Sequence, residues 1–129
     1  SKIAEGIRSF RENNDLSNIL FIKHIPDLFF LKLLDNAKCL VGNSSVGIRE
    51  CSFLGTPVVN IGDRQKNRLR GKNVIDVDLD IDSIYSAIIK QSKIGKFSSS
   101  TLYGNGDAGK KTAEILSKTC FSYFKQITY

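Results

Sequence analysis

The sequence predicts an α/β fold, a Rossmann-like parallel sheet with helices on both faces. The first observation is that short, continuous apolar runs alternate along the chain with longer segments of helical periodicity. Continuous apolar runs are typical of strands buried on both faces, and strand–helix alternation is typical of parallel sheets. The second is composition, since 41% of the 129 residues are hydrophobic and 25% are charged. This balance is typical of globular domains that bury a core.

The alternation defines five helices and four strands, separated by turn residues. The predicted helices are residues 2–13, 28–36, 46–54, 80–91 and 107–127, and the predicted strands are 18–23, 39–41, 57–61 and 73–77. Pro26 favours the start of the second helix, and Gly55 favours the end of the third. The second helix is apolar almost all round, which predicts burial on more than one side. The fourth helix has a predicted inner face made of Ile81, Ile84, Tyr85 and Ile88.

The domain organisation follows from the order of these elements. The chain begins with a helix, and four strands make a small sheet for this architecture. We therefore expect residues 1–129 to form a single, partial domain from which the first strands are missing.

The scarce residue types narrow the class of protein. Cys39, Cys51 and Cys120 form no CxxC pair, which favours free thiols in a reducing cytoplasm. His24 is the only histidine, so we expect no metal site. No apolar run approaches the ~20 residues of a membrane span, so we expect no membrane interaction.

The net charge of +6 raises the question of nucleic-acid binding. The basic residues are spread along the chain, and the one local cluster, residues 64–72, has no interleaved aromatic side chains that would stack on bases. We therefore expect no nucleic-acid partner. A basic loop that faces an anionic small molecule explains the cluster, and simple solvation explains the other charges.

The turn after the second predicted strand is the main candidate site. Gly42, Asn43, Ser44 and Ser45 precede a predicted helix, where free backbone N–H groups and serine hydroxyls suit a phosphate. Glu50, further along that helix, is placed to accept hydrogen bonds from sugar hydroxyls. Residues of these types are also ordinary helix caps, so on the turn alone both interpretations stand.

Three separated motifs carry a resemblance to a known family. They are residues 42–50, GNSSVGIRE; residues 53–65, FLGTPVVNIGDRQ; and residues 103–108, YGNGDA. Together they closely resemble the UDP-N-acetylglucosamine 2-epimerase family, whose third motif reads YGDGNA. The resemblance implies the glycosyltransferase-B architecture of two Rossmann-like domains, of which this chain corresponds to the last part of the second. The loop 62–68 resembles the hydrolysing branch of the family.

The resemblance also implies a role for individual residues. Ser44 and Ser45 would bind the diphosphate, Arg64 would hold the UDP phosphates, Glu50 the ribose hydroxyls, and Phe30 would stack on uracil. The alternatives are a core role for Phe30 and merely exposed charges for Arg64 and Glu50. The family's proton-transfer residues lie upstream, so we assign no catalytic residue here, His24 included, and expect no cofactor.

The implied function is the UDP-binding portion of a hydrolysing UDP-N-acetylglucosamine 2-epimerase of sialic-acid-type biosynthesis. The alternatives are a hydrolysing UDP-2,4-diacetamido-sugar 2-epimerase and a nucleotide-sugar-binding subdomain of a glycosyltransferase. We expect a UDP-sugar as substrate, packing on a missing N-terminal domain, homo-oligomerisation of the intact protein, and inactivity of this chain alone.

Two features near the C-terminus are less specific. The glycine-rich turn 103–107 fits either a helix cap, with Asp107 satisfying the first amides, or a ligand contact. The aromatic residues within 121–129 suggest a surface that meets a missing partner.

Overall fold

The computed structural model describes residues 2–120, which form two compact units. The first unit extends to Leu31, and the second begins at Lys32. Helix α2, Asp27–Asn36, contains this boundary.

The first unit contains helix α1, Lys2–Asn13, which has the predicted bounds. The strand predicted at 18–23 is wrong, because this segment is irregular and its apolar side chains are exposed. A strand needs a neighbouring strand to receive its backbone hydrogen bonds, and the segment has only the turn bond from the Ile19 amide to the Leu16 carbonyl. The Arg11 guanidinium lies 4.8 Å from the centre of the Phe21 ring, a cation–π contact.

Helix α2 begins one residue after Pro26, whose carbonyl accepts the Phe30 amide at 2.9 Å. Leu34 is its one fully buried side chain, whereas Leu28 and Phe29 are largely exposed. The predicted burial of this helix on several sides is therefore wrong.

The second unit is built on a parallel three-stranded sheet with helices packed around it, which confirms the predicted α/β class. The strands are β1, Leu40–Gly42; β2, Val58–Ile61; and β3, Val74–Val77, in the order β1-β2-β3. Val59 of the central strand lies opposite Val41 and Ile75. Val58 and Val59 are both buried and form the centre of the core.

The helix predicted at 46–54 is divided into two. Helix α3, Ser45–Ile48, and helix α4, Glu50–Leu54, meet at Arg49, whose φ of −96° and ψ of −71° interrupt the helix. Helix α4 ends as predicted at Gly55, which has a left-handed φ of 72° and donates its amide to the Cys51 carbonyl.

Helix α5, Ile81–Ile94, is longer than predicted and turns a different face to the sheet. Asp80 caps it by accepting the Ser83 amide at 2.8 Å. Ala87 and Gln91 are buried, and Ile84 and Ile88 are half-buried, but Ile81 is 83% and Tyr85 is 65% exposed. The inner face therefore follows the 84, 87, 88 and 91 positions.

Helix α6, Ala108–Lys118, ends earlier than predicted because Thr119 has an extended backbone. Asp107 makes no side-chain capping bond, since its carboxylate pairs with Lys111 at 2.8 Å instead. Asp107 is the N-cap residue of α6, but the prediction that its side chain satisfies the first amides is wrong. The aromatic surface predicted at 121–129 lies outside the described residues.

A buried polar network fixes the connections at the amino-terminal side of β2 and β3. The Ser52 hydroxyl bonds the Asn73 amide oxygen at 3.0 Å, and the Asn73 side-chain NH₂ donates to the Thr56 carbonyl at 2.9 Å. Gln91 of α5 donates to the Val58 and Asn73 carbonyls at 2.9 and 2.8 Å. Buried polar groups that are fully paired in this way specify one arrangement of the chain.

The three cysteines are free thiols, as predicted. Burial raises the pKa of the Cys51 thiol to about 12. Of the helices in residues 2–120, none combines the length and the apolar character needed to cross a bilayer.

Candidate functional site

The turn between β1 and α3 is the first part of the site. Gly42 ends the strand with a φ of 150°, and Ser44 is the N-cap of α3. The Ser44 Oγ accepts the Val46 amide at 3.4 Å, so its hydroxyl proton is still available for a ligand. Ser44 is exposed and Ser45 is half-buried. Because α3 has only four residues, its dipole adds little, and the serine hydroxyls are the relevant groups.

The basic loop, which we define as residues 62–72, reaches this turn. The Gln65 side-chain amide donates to the Asn43 backbone carbonyl at 2.8 Å, and Gln65 is only 3% exposed. The Arg64 Nη1 lies 3.5 Å from Asn43 Oδ1, while the rest of the side chain is exposed. The structure therefore brings Arg64 to Asn43, which precedes Ser44 and lies 21 positions before Arg64 in the chain.

Glu50 lies in a second part of the site, at the start of α4. One carboxylate oxygen pairs with Arg49 at 3.0 Å, and the other is buried without a hydrogen-bond partner. Glu50 lines a cavity of about 350 Å³, which we call the Glu50 pocket. The other residues that line it are Arg49, Phe53, Ser100, Tyr103, Gly104, Asn105 and Gly106. A carboxylate on a residue that lines an open cavity is a hydrogen-bond acceptor for a ligand in that cavity.

Comparison with known proteins identifies the family. The chain matches the family described as UDP-N-acetylglucosamine 2-epimerase over residues 2–117. This chain belongs to that family. The three motifs that carried the resemblance lie within the matched range.

Individual proteins similar to this chain are also named as 2-epimerases. The chain is 41% identical over 91 residues to the UDP-N-acetylglucosamine 2-epimerase of Neisseria meningitidis serogroup B, covering 68% of this chain and 24% of that protein. It is 35% identical over 114 residues to the hydrolysing UDP-N,N'-diacetylbacillosamine 2-epimerase of Legionella pneumophila, covering 88% of this chain and 29% of that protein. It is 42% identical over 87 residues to the hydrolysing GDP/UDP-N,N'-diacetylbacillosamine 2-epimerase of Campylobacter jejuni, covering 67% of this chain and 22% of that protein. The matched region spans about a quarter of the length of these relatives.

The epimerase-family residues predicted to form the site divide between the two units. The second unit contains Ser44, Ser45, Glu50 and Arg64. The serines and Arg64 belong to the first part of the site, and Glu50 belongs to the second. Phe30 lies on α2 in the first unit and is half-buried, so its stacking on uracil stays a prediction. His24 is exposed and also belongs to the first unit.

Sequence reasoning missed the residues that hold the site together. The motif that contains Gln65 does not indicate its role, yet this side chain anchors the basic loop on Asn43. The glycine-rich turn does not indicate a role for Tyr103, yet this residue lines the Glu50 pocket. The signal for Gln65 was an uncharged amide within a run of basic residues, which is a weak one.

A larger cavity of about 520 Å³ lies at the carboxyl ends of β2 and β3. Its charges largely neutralise one another, since Arg70 Nε pairs with Asp76 Oδ2 at 3.0 Å. Burial alone would raise the pKa of Asp76, but hydrogen bonds from Arg70 and Asn60 lower it below its usual value. No three His, Cys, Asp or Glu side chains within residues 2–120 are grouped to hold a metal ion.

Proposed function

We propose that this chain is the UDP-binding portion of a hydrolysing UDP-N-acetylglucosamine 2-epimerase. The observation that supports this most is the contact of the basic loop with the β1–α3 turn, because it brings Arg64 and Gln65 to Asn43, the residue that precedes Ser44 and Ser45 in the chain. A guanidinium and hydroxyl donors at one point of the surface suit a diphosphate.

Each group has a physical reason for its proposed role. Ser44 and Ser45 donate hydroxyl hydrogen bonds to phosphate oxygens, and Arg64 offsets the negative charge of the UDP phosphates. Glu50, which lines the Glu50 pocket, accepts hydrogen bonds from the ribose hydroxyls. Phe30 stacks on uracil, a role that rests on the resemblance alone.

The proposed reaction begins when a base removes the proton from C2 of the sugar. The C1–O bond breaks, UDP leaves with the bonding electrons, and a glycal forms. Water then adds a hydroxyl at C1 and a proton at C2 from the opposite face, which gives the free 2-epimer. We place the proton-transfer groups in a preceding domain of a longer, cytoplasmic, oligomeric protein of the glycosyltransferase-B architecture. The role of this chain is to hold UDP and to stabilise the charge it gains on leaving.

A hydrolysing UDP-2,4-diacetamido-sugar 2-epimerase is the second candidate. It is favoured by two relatives, those of Legionella and Campylobacter, which carry diacetylbacillosamine and hydrolysis in their names. Both candidates use the UDP site in the same way and differ in the sugar they accept. UDP-N-acetylglucosamine and the diacetamido sugar, compared as substrates of a complete protein that contains this chain, would separate them.

A chimera tests the role of this portion. Residues 2–117 replace the matching segment of the Legionella relative, and UDP release from its diacetamido substrate is measured. We expect turnover by the chimera and none by the 129-residue chain alone, because no acid–base pair for C2 is assigned here. Lys72→Ala in the chimera removes one charge from the basic loop and should retain turnover. It is the control for substitutions of Arg64 in the same loop.

The chimera separates an epimerase role from a binding module without epimerase chemistry. A folded chimera that binds UDP without releasing it from substrate would support the glycosyltransferase-type binding module instead. Turnover by the 129-residue chain alone would contradict the placement of the proton-transfer groups in a preceding domain.

A further inference from the structure

The basic loop is fixed at its start by Gln65 and needs a second fixed point to hold Arg64 in place. The loop contains two short turns. In the first, the Lys66 amide donates to the Asp63 carbonyl at 2.7 Å, and in the second, the Arg68 amide donates to the Gln65 carbonyl at 3.3 Å. Asn67 has a left-handed φ of 67°, a conformation that asparagine adopts more readily than most residues. A largely exposed loop of this kind keeps one conformation when both of its ends are held.

Tyr103 supplies a tie at the far end. Its hydroxyl donates to the Leu69 backbone carbonyl at 2.8 Å, across 34 positions of sequence. The next residue, Arg70, is held by Asp76 and donates to the Arg68 carbonyl at 2.6 Å. Tyr103 itself sits in a turn closed by the Gly104 amide and the Thr101 carbonyl at 2.8 Å.

The same tyrosine lines the Glu50 pocket. It therefore connects the two parts of the site, since the residue lines the pocket and its hydroxyl bonds to the basic loop. We propose that Tyr103 is a positioning residue whose hydroxyl holds the basic loop so that Arg64 meets the phosphates of a nucleotide whose ribose occupies the Glu50 pocket. This inference rests on the proposed function for the identity of the ligand.

Tyr103→Phe is the test, because it removes only the hydroxyl and keeps the aromatic ring. The binding of UDP to the 129-residue chain is measured by amide shifts, in the unsubstituted chain, Tyr103→Phe, Arg64→Ala and the double variant. Loss of one hydrogen bond should raise the Kd for UDP by about 2- to 10-fold. In the Arg64→Ala background the same substitution should change the Kd by less than about 1.5-fold, because two residues acting through one contact are not additive.

Uridine is the ligand control, since it lacks the phosphates that Arg64 meets. Tyr103→Phe should leave uridine binding unchanged if the hydroxyl acts through the loop. Equal weakening of UDP in both Arg64 backgrounds, or equal weakening of uridine and UDP, would overturn the positioning role. Tyr85→Phe, at an exposed tyrosine of α5, is the matched variant and should change neither Kd.

A second measurement needs no nucleotide and separates this inference from the proposed function. Tyr103→Phe should speed hydrogen exchange of the Lys66 and Arg68 amides by about fivefold, the effect of losing one hydrogen bond that holds the loop. The Gly62 amide, bonded to the Val77 carbonyl at 2.8 Å, should exchange at an unchanged rate. Unchanged exchange at Lys66 and Arg68 would overturn the inference, whereas an unsubstituted chain that fails to bind UDP would overturn the proposed function.

Discussion

Arg64 is the residue on which the chemical part of the proposal depends. If departure of UDP is the demanding step, charge grows on the β-phosphate as the C1–O bond lengthens. A guanidinium that faces this phosphate then interacts more strongly in the transition state than in the ground state, and such contacts raise kcat. Arg64→Ala in the chimera should lower kcat by roughly 10²-fold.

Glu50 should behave differently, because the charge on the ribose hydroxyls does not change during the reaction. Glu50→Gln should raise KM and leave kcat within a few-fold, the pattern of uniform binding.

Arg64→Lys tests geometry, since an ammonium cannot reproduce a two-pronged contact. Steady-state kinetics of the three variants, with folding checked by circular dichroism, is the measurement. An Arg64→Ala variant with an altered KM and a normal kcat would make Arg64 a binding residue only.

At the residue scale, sequence reasoning identified charged and hydroxyl groups but not their supports. Ser44 and Arg64 stand in recognisable motifs, and the structure brings their neighbourhoods together through Asn43. The contacts from Gln65 to Asn43 and from Tyr103 to Leu69 cross 22 and 34 positions. Such contacts depend on the tertiary path of the loop, which no local pattern encodes.

At the element scale, Gly71 tests whether the buried polar network sets the end of the basic loop. A Cβ at this position would collide with Ser52 Oγ and Asn73 Oδ1, which are both buried. Gly71→Ala should therefore lower the free energy of unfolding by about 1–3 kcal/mol, as overpacking does. Gly109→Ala in α6 is the control, since its Cβ meets no atom within 4 Å. Urea denaturation of both variants should show a loss for Gly71→Ala alone, and equal stabilities would argue against the network.

The pair of Arg70 and Asp76 joins the basic loop to β3 and predicts a pH dependence. The folded pKa of Asp76 lies below its unfolded value, because hydrogen bonds from Arg70 and Asn60 outweigh the effect of burial. The carboxylate therefore stabilises the fold above about pH 4, and this contribution disappears as the pH falls through the folded pKa. Asp76→Asn should be less stable than the unsubstituted chain at pH 7, and the difference should shrink towards pH 3.

Urea unfolding at pH 7, 4 and 3 measures this difference. Asp82→Asn removes the same charge at an exposed position of α5 and serves as the control. A gap between Asp76→Asn and the unsubstituted chain that stays constant across this range would mean that the ion pair does not contribute.

Element prediction succeeded where local signals agree with packing and failed where tertiary partners decide. The sheet strands and the end of α4 at Gly55 follow from apolar runs and a left-handed glycine. The run 18–23 has the composition of a strand but not its backbone partners. The face of α5 was misassigned because Ile81 and Tyr85 fit the helical period, whereas the buried Gln91 is polar and bonds to two backbone carbonyls.

At the scale of the whole molecule, the family and the α/β class were both accessible from the sequence, because three motifs stand in a fixed order. The division of the chain into two units was not, since it depends on contacts rather than on composition. Single-domain organisation over residues 1–129 stays a prediction.

We propose a diphosphate site where the basic loop meets the β1–α3 turn. A titration of the ¹⁵N-labelled 129-residue chain with UDP, followed by amide shifts, tests it most directly. Affinity should be weak, on the order of millimolar, because we place the other half of the cleft outside this chain. We expect residues 42–50 and the Arg64 and Gln65 amides to shift first, and we expect uridine to leave the Arg64 amide unmoved. Shifts confined to residues 93–96, at and just beyond the C-terminal end of α5, would contradict it.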